Sequence, residues 1–392
     1  MNVVSVIVLS ILVIRKIDAS EVSSYMYAVF TTDAVLSYCL LQIALRITLA
    51  KDDVSFKQLF AYSRRFSFLN ALLAIGVMAT VMMFSDHADN SRTMYFVAWL
   101  TAAGLANYFA QLCFSVCDYT FDYKSFGVSS AAANISSLII AVAVFLLGGG
   151  IASMVVRDVA RGFILLALAL KNSRVLIPDL KDITPLDRKS KFSFVGFLVK
   201  RHTLKMIEVT NHRVPALITS AGNATSLGQF GVAFQLVSQI MNVLTIAGDK
   251  LAYAFFARAE RHNKLRYLSI VLALYAIVGV TIFIFGGKLF SLVYGPKWQA
   301  SAQTFSYLGI YLFTHGALGL VTNFLVTEQR FAGVYLAWGG WTATFFACFL
   351  CNPGWPIVAY YLTASAVSFV LAICALMLAK YSVSPASVRR AV

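Results

Sequence analysis

The chain has 392 residues, of which 59% are hydrophobic and only 12% charged, with a mean hydropathy of +0.77. A soluble globular chain carries about 25% charged residues, so the composition excludes a soluble enzyme or binding domain and indicates an all-α integral membrane protein. The net charge of +15 would suggest nucleic acid in a soluble chain; here the basic residues sit mainly in short loops, where they set topology and meet anionic lipid heads, and no nucleic-acid partner is expected.

Met1 leads straight into an apolar stretch with no basic leader or small-residue cleavage site, so no cleavable signal peptide is expected. Apolar runs predict about twelve transmembrane helices. They lie at 1–14, 22–47, 66–84, 95–116, 131–147 and 154–170, then at 192–221, 228–256, 267–285, 301–326, 332–349 and 356–378. The first is short, rising about 21 Å against a hydrocarbon core of about 30 Å. The longest hydrophilic loop contains Pro178 and Pro185. It divides the chain into an N-terminal six-helix bundle (1–170), a cytoplasmic linker (171–191) and a C-terminal six-helix bundle (192–392). The third helix, RFSFLNALLAIGVMATVMMF from Arg65, aligns with the ninth, RYLSIVLALYAIVGVTIFIF from Arg266. Two pseudo-symmetric halves suit a duplicated transporter.

Loop charge orients the bundle. With a cytoplasmic N-terminus, one side receives Arg46, Lys51, Lys57, Arg64 and Arg65, the basic 171–191 loop, and Arg258, Arg261, Lys264 and Arg266. The other side receives Arg15, Lys16, Arg92, Arg157, Lys288 and Lys297. This asymmetry places both termini in the cytoplasm. It also bears on segment 192–221, which carries Lys200, Arg201, His202, Lys205, Glu208, His212 and Arg213 near its middle. Each Lys or Arg at the bilayer centre costs roughly 2.5–3.5 kcal/mol, while each Leu, Val or Phe returns about 0.3–0.6. If the segment did not span, every later loop would change sides and the charge bias of the second half would collapse. The segment is therefore expected to span, with its charges facing water inside a bundle.

Helical spacing sorts these charges. Arg201, Lys205, Glu208 and His212 recur at steps of four, three and four, on one face, with Lys200 and Arg213 flanking it and Lys205 placed to pair with Glu208. On the eighth helix Gln235, Gln239, Asn242 and Asp249 make a second polar face. Two such faces read as a hydrophilic lumen; the competing reading is interhelical glue without a ligand. Asp33, inside the second helix, is a further lumen candidate, whereas Asp158 and Arg161, three apart, read as a local pair at the interface. His315, beside Gly316, reads as a packed histidine, and the five tryptophans as mostly an interface belt. Cys348 and Cys351 have CxxC spacing without a second Cys or His pair, so neither a metal site nor a cofactor is expected. A basic lumen favours anionic cargo such as phosphate or pyrophosphate, which Arg grips through two oxygens.

Several stretches resemble the polysaccharide transporter family, the Wzx-like O-antigen and exopolysaccharide flippases of the multidrug/oligosaccharidyl-lipid/polysaccharide (MOP) superfamily. They are SLGQFGVAFQLVSQ from Ser226, FFARAER after it, LVYGPKWQASA from Leu292 and EVSSYMYAVF from Glu21. The resemblance implies twelve helices in two bundles, a cationic lumen, and transfer of an undecaprenyl-pyrophosphate-linked oligosaccharide across a bacterial inner membrane. It implies membrane lipids, a polysaccharide polymerase and chain-length proteins as partners. In that reading Arg201, Lys205, Arg213, Lys200 and His212 bind the pyrophosphate or acidic sugars, Gln235, Gln239 and Asn242 contact sugar hydroxyls, and Glu208, Asp249 or Asp33 carry coupling ions. A drug or metabolite exporter of the same superfamily is the alternative within transport. A membrane glycan polymerase or ligase is a less favoured one, because the predicted outer loops are short and the sequence has no paired-carboxylate or nucleotide-phosphate motif.

Overall fold

The computed structural model describes residues 2–41, 43–48, 53–84, 91–120, 122–176, 187–219, 224–245, 261–328 and 330–381. Among the described residues all regular structure is helical. In chain order the α-helices are α1 (Asn2–Ile14), α2 (Ala19–Cys39), α3 (Ile43–Thr48), α4 (Asp53–Met83), α5 (Ser91–Tyr119), α6 (Tyr123–Val144) and α7 (Ala152–Leu176). There follow α8 (Arg188–His212), α9 (Val214–Thr219), α10 (Ala224–Thr245), α11 (Arg261–Tyr294), α12 (Gln299–Thr327), α13 (Phe331–Cys351) and α14 (Ile357–Tyr381).

Each of the twelve predicted segments falls on a helix, and two of them are broken. Segment 22–47 divides where Leu40 adopts extended backbone after α2. Segment 192–221 divides at Arg213, two residues before Pro215, whose ring nitrogen has no hydrogen to continue the helical ladder. The eighth segment, 228–256, is described as far as Thr245. Other boundaries follow local chemistry. Asp122 caps α6 by accepting a hydrogen bond from the Ser125 backbone N–H at 3.1 Å. α6 ends in a π-turn, Phe145–Gly149, with Gly148 at φ +89°. α11 stops at Gly295, φ +93°, and Pro296 then opens a 3₁₀ turn that buries Trp298.

Eight helices are long and apolar enough to cross a membrane among the described residues: α4, α5, α6 and α10 through α14. α1 is too short at 13 residues, and α2, α7 and α8 are interrupted by polar and charged side chains. α3 and α9 have 6 residues each. Of these six exceptions α1, α2, α3, α7 and α8 lie in the first of two compact units, and α9 is divided between the two. The first unit comprises Met1–Leu217 with Ala221–Gly228, and the second Ile218–Ser220 with Gln229–Val392. The expected linker at 171–191 lies inside the first unit's stretch of chain, and α8 packs there against α2 and α3.

In the first unit α5 is the central helix, contacting α2, α3, α4, α6 and α7. Small residues bring α5 and α7 close: a Cβ on Gly162 would stand 2.8 Å from the Ala103 carbonyl oxygen. Phe194 and Leu198 of α8 are buried in a cluster with Ile43, Phe56, Leu112 and Val116, so the apolar side of α8 anchors it. In the second unit α12 packs on α11, α13 and α14. Gly279 and Gly309 let the α11 and α12 backbones touch, since a Cβ on either would lie 2.5–2.7 Å from the other's carbonyl oxygen. Beside them Phe230, Phe234, Tyr311, Trp341 and Tyr361 form an aromatic core, with centroids of neighbouring rings 5.2–5.8 Å apart. Trp298 and Trp341 are 1% and 0% exposed, so these two belong to the core and not to the expected interface belt.

Candidate functional site

The polar interior of the first unit is built on α2. Its small and hydroxylated positions Ser23, Ala28, Thr31, Thr32 and Ala34 are buried, which lets neighbouring helices approach closely. From this helix Asp33 meets Arg213, at the turn between α8 and α9: Arg213 Nε donates to Asp33 Oδ2 at 2.7 Å. The guanidinium also lies over the Phe30 ring, 5.1 Å from its centroid. The pair remains partly open, with side chains 23% and 47% exposed for Arg213 and Asp33.

Nearer the end of α2, Tyr38 is held from α8 by two contacts. His202 Nε2 lies 2.7 Å from the Tyr38 carbonyl oxygen, and the Tyr38 hydroxyl is hydrogen-bonded to Thr210 Oγ1. A carbonyl in the last turn of a helix lacks a full set of intrahelical partners, and the imidazole supplies one. α2 thus engages His202 and Thr210 of the charged helix while the apolar side of that helix is buried.

At the other end of α2, Tyr25 reaches α7. Its hydroxyl donates to Asp158 Oδ2 at 3.4 Å, and Asp158 Oδ1 accepts from Arg157 Nη1 at 2.6 Å. Arg161, one turn on, turns to α6 and donates from Nε to Asn134 Oδ1 at 3.0 Å. Asp158 and Arg161 are therefore not the local pair that their spacing suggested. Arg157, assigned to an outer loop by sequence, is 6% exposed and is the carboxylate's partner. The Arg157, Asp158, Arg161 run was the available sequence signal, since like charges one helical turn apart need a compensating partner.

The structure brings Asp33 and Arg213 together and places Lys205 and His212 half-buried on α8. The side chains of Lys200, Arg201 and Glu208 lie outside the described residues, so the Lys205–Glu208 pairing does too. Gln235 and Gln239 are half-buried and Asn242 is exposed, all on α10 in the second unit; Asp249 lies outside the described residues. The Gln235 Oε1 is buried without a hydrogen-bond partner among the described residues. His315 is buried, stacked on Tyr311 at 4.8 Å and edge-on to Trp338 at 5.2 Å, as expected of a packed histidine.

No family model matches the sequence, and no curated protein matches it. Solved structures do resemble it. A lipid II flippase, MurJ, in an inward closed conformation shares 9% identity at a TM-score of 0.69, over 97% of this chain and 86% of that one. An inward-facing multidrug resistance MATE family transporter of the MOP superfamily gives 12% identity and a TM-score of 0.66, over 100% and 96%. A MATE transporter of Vibrio cholerae gives 12% and 0.58, over 97% and 93%. At these identities the likeness concerns the fold alone, and the chain has the all-helical fold that these solved structures share.

Proposed function

We propose that this protein is a transporter that flips an undecaprenyl-pyrophosphate-linked oligosaccharide from the inner to the outer leaflet of a bacterial inner membrane, for surface polysaccharide export. The fold alone suits both a lipid flippase and a multidrug transporter. Charge favours the flippase. The observation that carries the reading is a basic helix, α8, packed within the first unit, with Arg213 at its end held toward α2 by Asp33. A lumen lined by such a helix attracts anions and repels the cationic cargo of a drug exporter.

Arg201, Lys205 and Arg213, flanked by Lys200 and His212, take the pyrophosphate or acidic sugars. Gln235, Gln239 and Asn242 take sugar hydroxyls. The prenyl tail stays in lipid, and rocking of one bundle against the other provides alternating access. Asp33, Glu208 or Asp249 carries a coupling proton or Na⁺. A polysaccharide polymerase and chain-length proteins act on the product, and both termini are cytoplasmic.

The test is a deletion strain complemented with the Arg201→Ala, Lys205→Ala double variant at normal expression. Loss of surface glycan with complete lipid-linked units trapped inside is expected. Normal export by the double variant would remove the assigned role, and an altered glycan linkage in the deletion strain would point to an enzyme instead.

A further inference from the structure

Two helices of the first unit carry the same surface pattern where they meet. On α4, Arg65 is followed one and two turns later by Leu69 and Leu73, and all three are exposed. On α8, the half-buried Lys191 is followed at the same spacing by the exposed Val195 and Val199. Each stripe thus runs from a cation into an apolar strip, and Leu69, Leu73 and Val199 are more than half exposed. The space beside both strips is open among the described residues. A Cβ on Gly76, which continues the α4 stripe, or on Gly196, beside Val199 on α8, would meet nothing within 4 Å.

Tyr62, one turn before Arg65 on the same face of α4, ties the stripes together. Phe194 of α8 meets its ring edge-on at 5.6 Å, and Lys191 Nζ lies over that ring, 6.0 Å from its centroid. Phe194 is buried in a cluster that includes Phe56, Leu59 and Phe60 of α4, so Lys191 is fixed within a turn of Arg65. Among the described residues no carboxylate lies within 4.0 Å of either cation. We infer that this surface is a binding site for an anionic phospholipid, with its phosphodiester between Arg65 and Lys191 and its acyl chains along Leu69–Leu73 and Val195–Val199.

A guanidinium and an ammonium can share the oxygens of one phosphodiester. A soluble anion would use the cations and leave the apolar strips bare. A choline lipid would bring a third cation to the pair, so the head group must be net negative. Lys191 and Arg213 stand at opposite ends of α8, and the site does not depend on the identity of the cargo. A lipid seated there covers the first turns of α8, a helix not apolar enough to count as a span, and joins them to α4.

The experiment uses the full chain in detergent, with phosphatidylglycerol, phosphatidylcholine or inorganic phosphate added, read by native mass spectrometry and Tm. Wild type is expected to retain phosphatidylglycerol, with a raised Tm, and to respond to neither of the others; added salt should weaken the effect. The Arg65→Gln, Lys191→Gln double variant should bind roughly 30-fold more weakly, and Arg65→Lys should keep most of the binding. Arg266→Gln, which removes an exposed cation at the start of α11, should change nothing. Equal retention by wild type and the double variant overturns the site, as does an equal loss in Arg266→Gln. An equal response to phosphatidylcholine overturns the anionic head group, and a response to inorganic phosphate alone overturns the lipid. If the double variant does not stay monodisperse, phosphatidylglycerol with a photoreactive diazirine in its acyl chain tests the wild type. Label is expected in 69–73 and 195–199, displaced by excess phosphatidylglycerol and not by phosphatidylcholine; label spread evenly over the exposed apolar helices overturns the site.

Discussion

Arg213 donates to Asp33 at 2.7 Å, so a residue read from sequence as a substrate ligand and another read as an ion carrier form one ion pair. Whatever anion approaches Arg213 competes with Asp33 for the same guanidinium, and whatever cation reaches Asp33 competes with Arg213 for the same carboxylate. In the proposed transport cycle, cargo binding and charge at Asp33 are thereby linked through this contact.

Breaking this pair should weaken the fold modestly and transport strongly. The side chains are 23% and 47% exposed, between the surface pairs worth about 0–1 kcal/mol and the buried pairs whose breaking costs about 3–5. Asp33→Asn and Arg213→Gln are each expected to lose about 1–2 kcal/mol, measured as a lowered Tm in detergent. The exchanged Asp33→Arg, Arg213→Asp variant should recover most of that stability but not glycan export, because the basic group then sits on α2. Export by the exchanged variant at the wild-type level would show that only the pair, and not its placement, matters.

Glycine contacts divide into two kinds. Gly309→Ala would drive a methyl to 2.5 Å from the Gly279 carbonyl oxygen and 2.7 Å from the Phe283 backbone nitrogen, where no flexible side chain can yield. A loss of about 1–3 kcal/mol is expected. Nothing lies within 4 Å of the methyl in Gly339→Ala, and that helical position should gain roughly 0.5–1 kcal/mol. Paired thermal melts would check both signs.

Asp122 supplies the pH prediction. The hydrogen bonds from Ser125 hold its carboxyl below the usual carboxylate value. A lowered folded pKa gives stability that is fully present above the unfolded value of about 3.9 and is lost as pH falls through the folded value. The α6 start should therefore keep its cap at neutral and mildly acidic pH and release it only below about pH 4. Hydrogen exchange at residues 123–126 would follow this. Asp122→Ala should raise exchange there at all pH values, whereas Asp122→Asn, which can still accept from Ser125, should raise it less and without the acid step.

The tryptophans give an optical test of burial. Trp99 is 53% exposed on α5 and Trp341 is 0% exposed on α13. In single-tryptophan variants reconstituted with brominated lipid chains, Trp99 should be strongly quenched and Trp341 hardly at all. Strong quenching of Trp341 would contradict its place in the aromatic core.

The helices were legible because a membrane permits few alternatives: apolar length decides which segments are helical, and each predicted run coincides with a helix. Breaks inside those runs were less visible. Pro215 announces the α8–α9 division, but the end of α2 at Leu40 has no comparable residue. Periodicity on α8 groups polar positions of one helix but cannot say which helix lies opposite, so the Asp33–Arg213 pair was not foreseen. The same limit misread α7. An i to i+3 spacing allows Asp158 to meet Arg161, but the adjacent Arg157 and a distant Asn134 offered better geometry. Trp298 and Trp341 were misplaced for a related reason, since composition does not distinguish a lipid-facing ring from one covered by another helix.

The sequence separation of the ion pair has a consequence for how the protein is made. Asp33 precedes Arg213 by 180 residues. At about 5–20 residues per second of synthesis, roughly 10–40 s pass before the guanidinium emerges from the ribosome. Throughout that interval the Asp33 carboxylate on α2 lacks the Arg213 guanidinium, and α7 and α8, which are also not apolar enough to count as spans, emerge only in its last third. Early integration of the first unit thus relies on α4, α5 and α6 to shelter α2 in the insertion machinery, and a ribosome stalled before residue 213 would leave the Asp33 carboxylate waiting for its counter-charge.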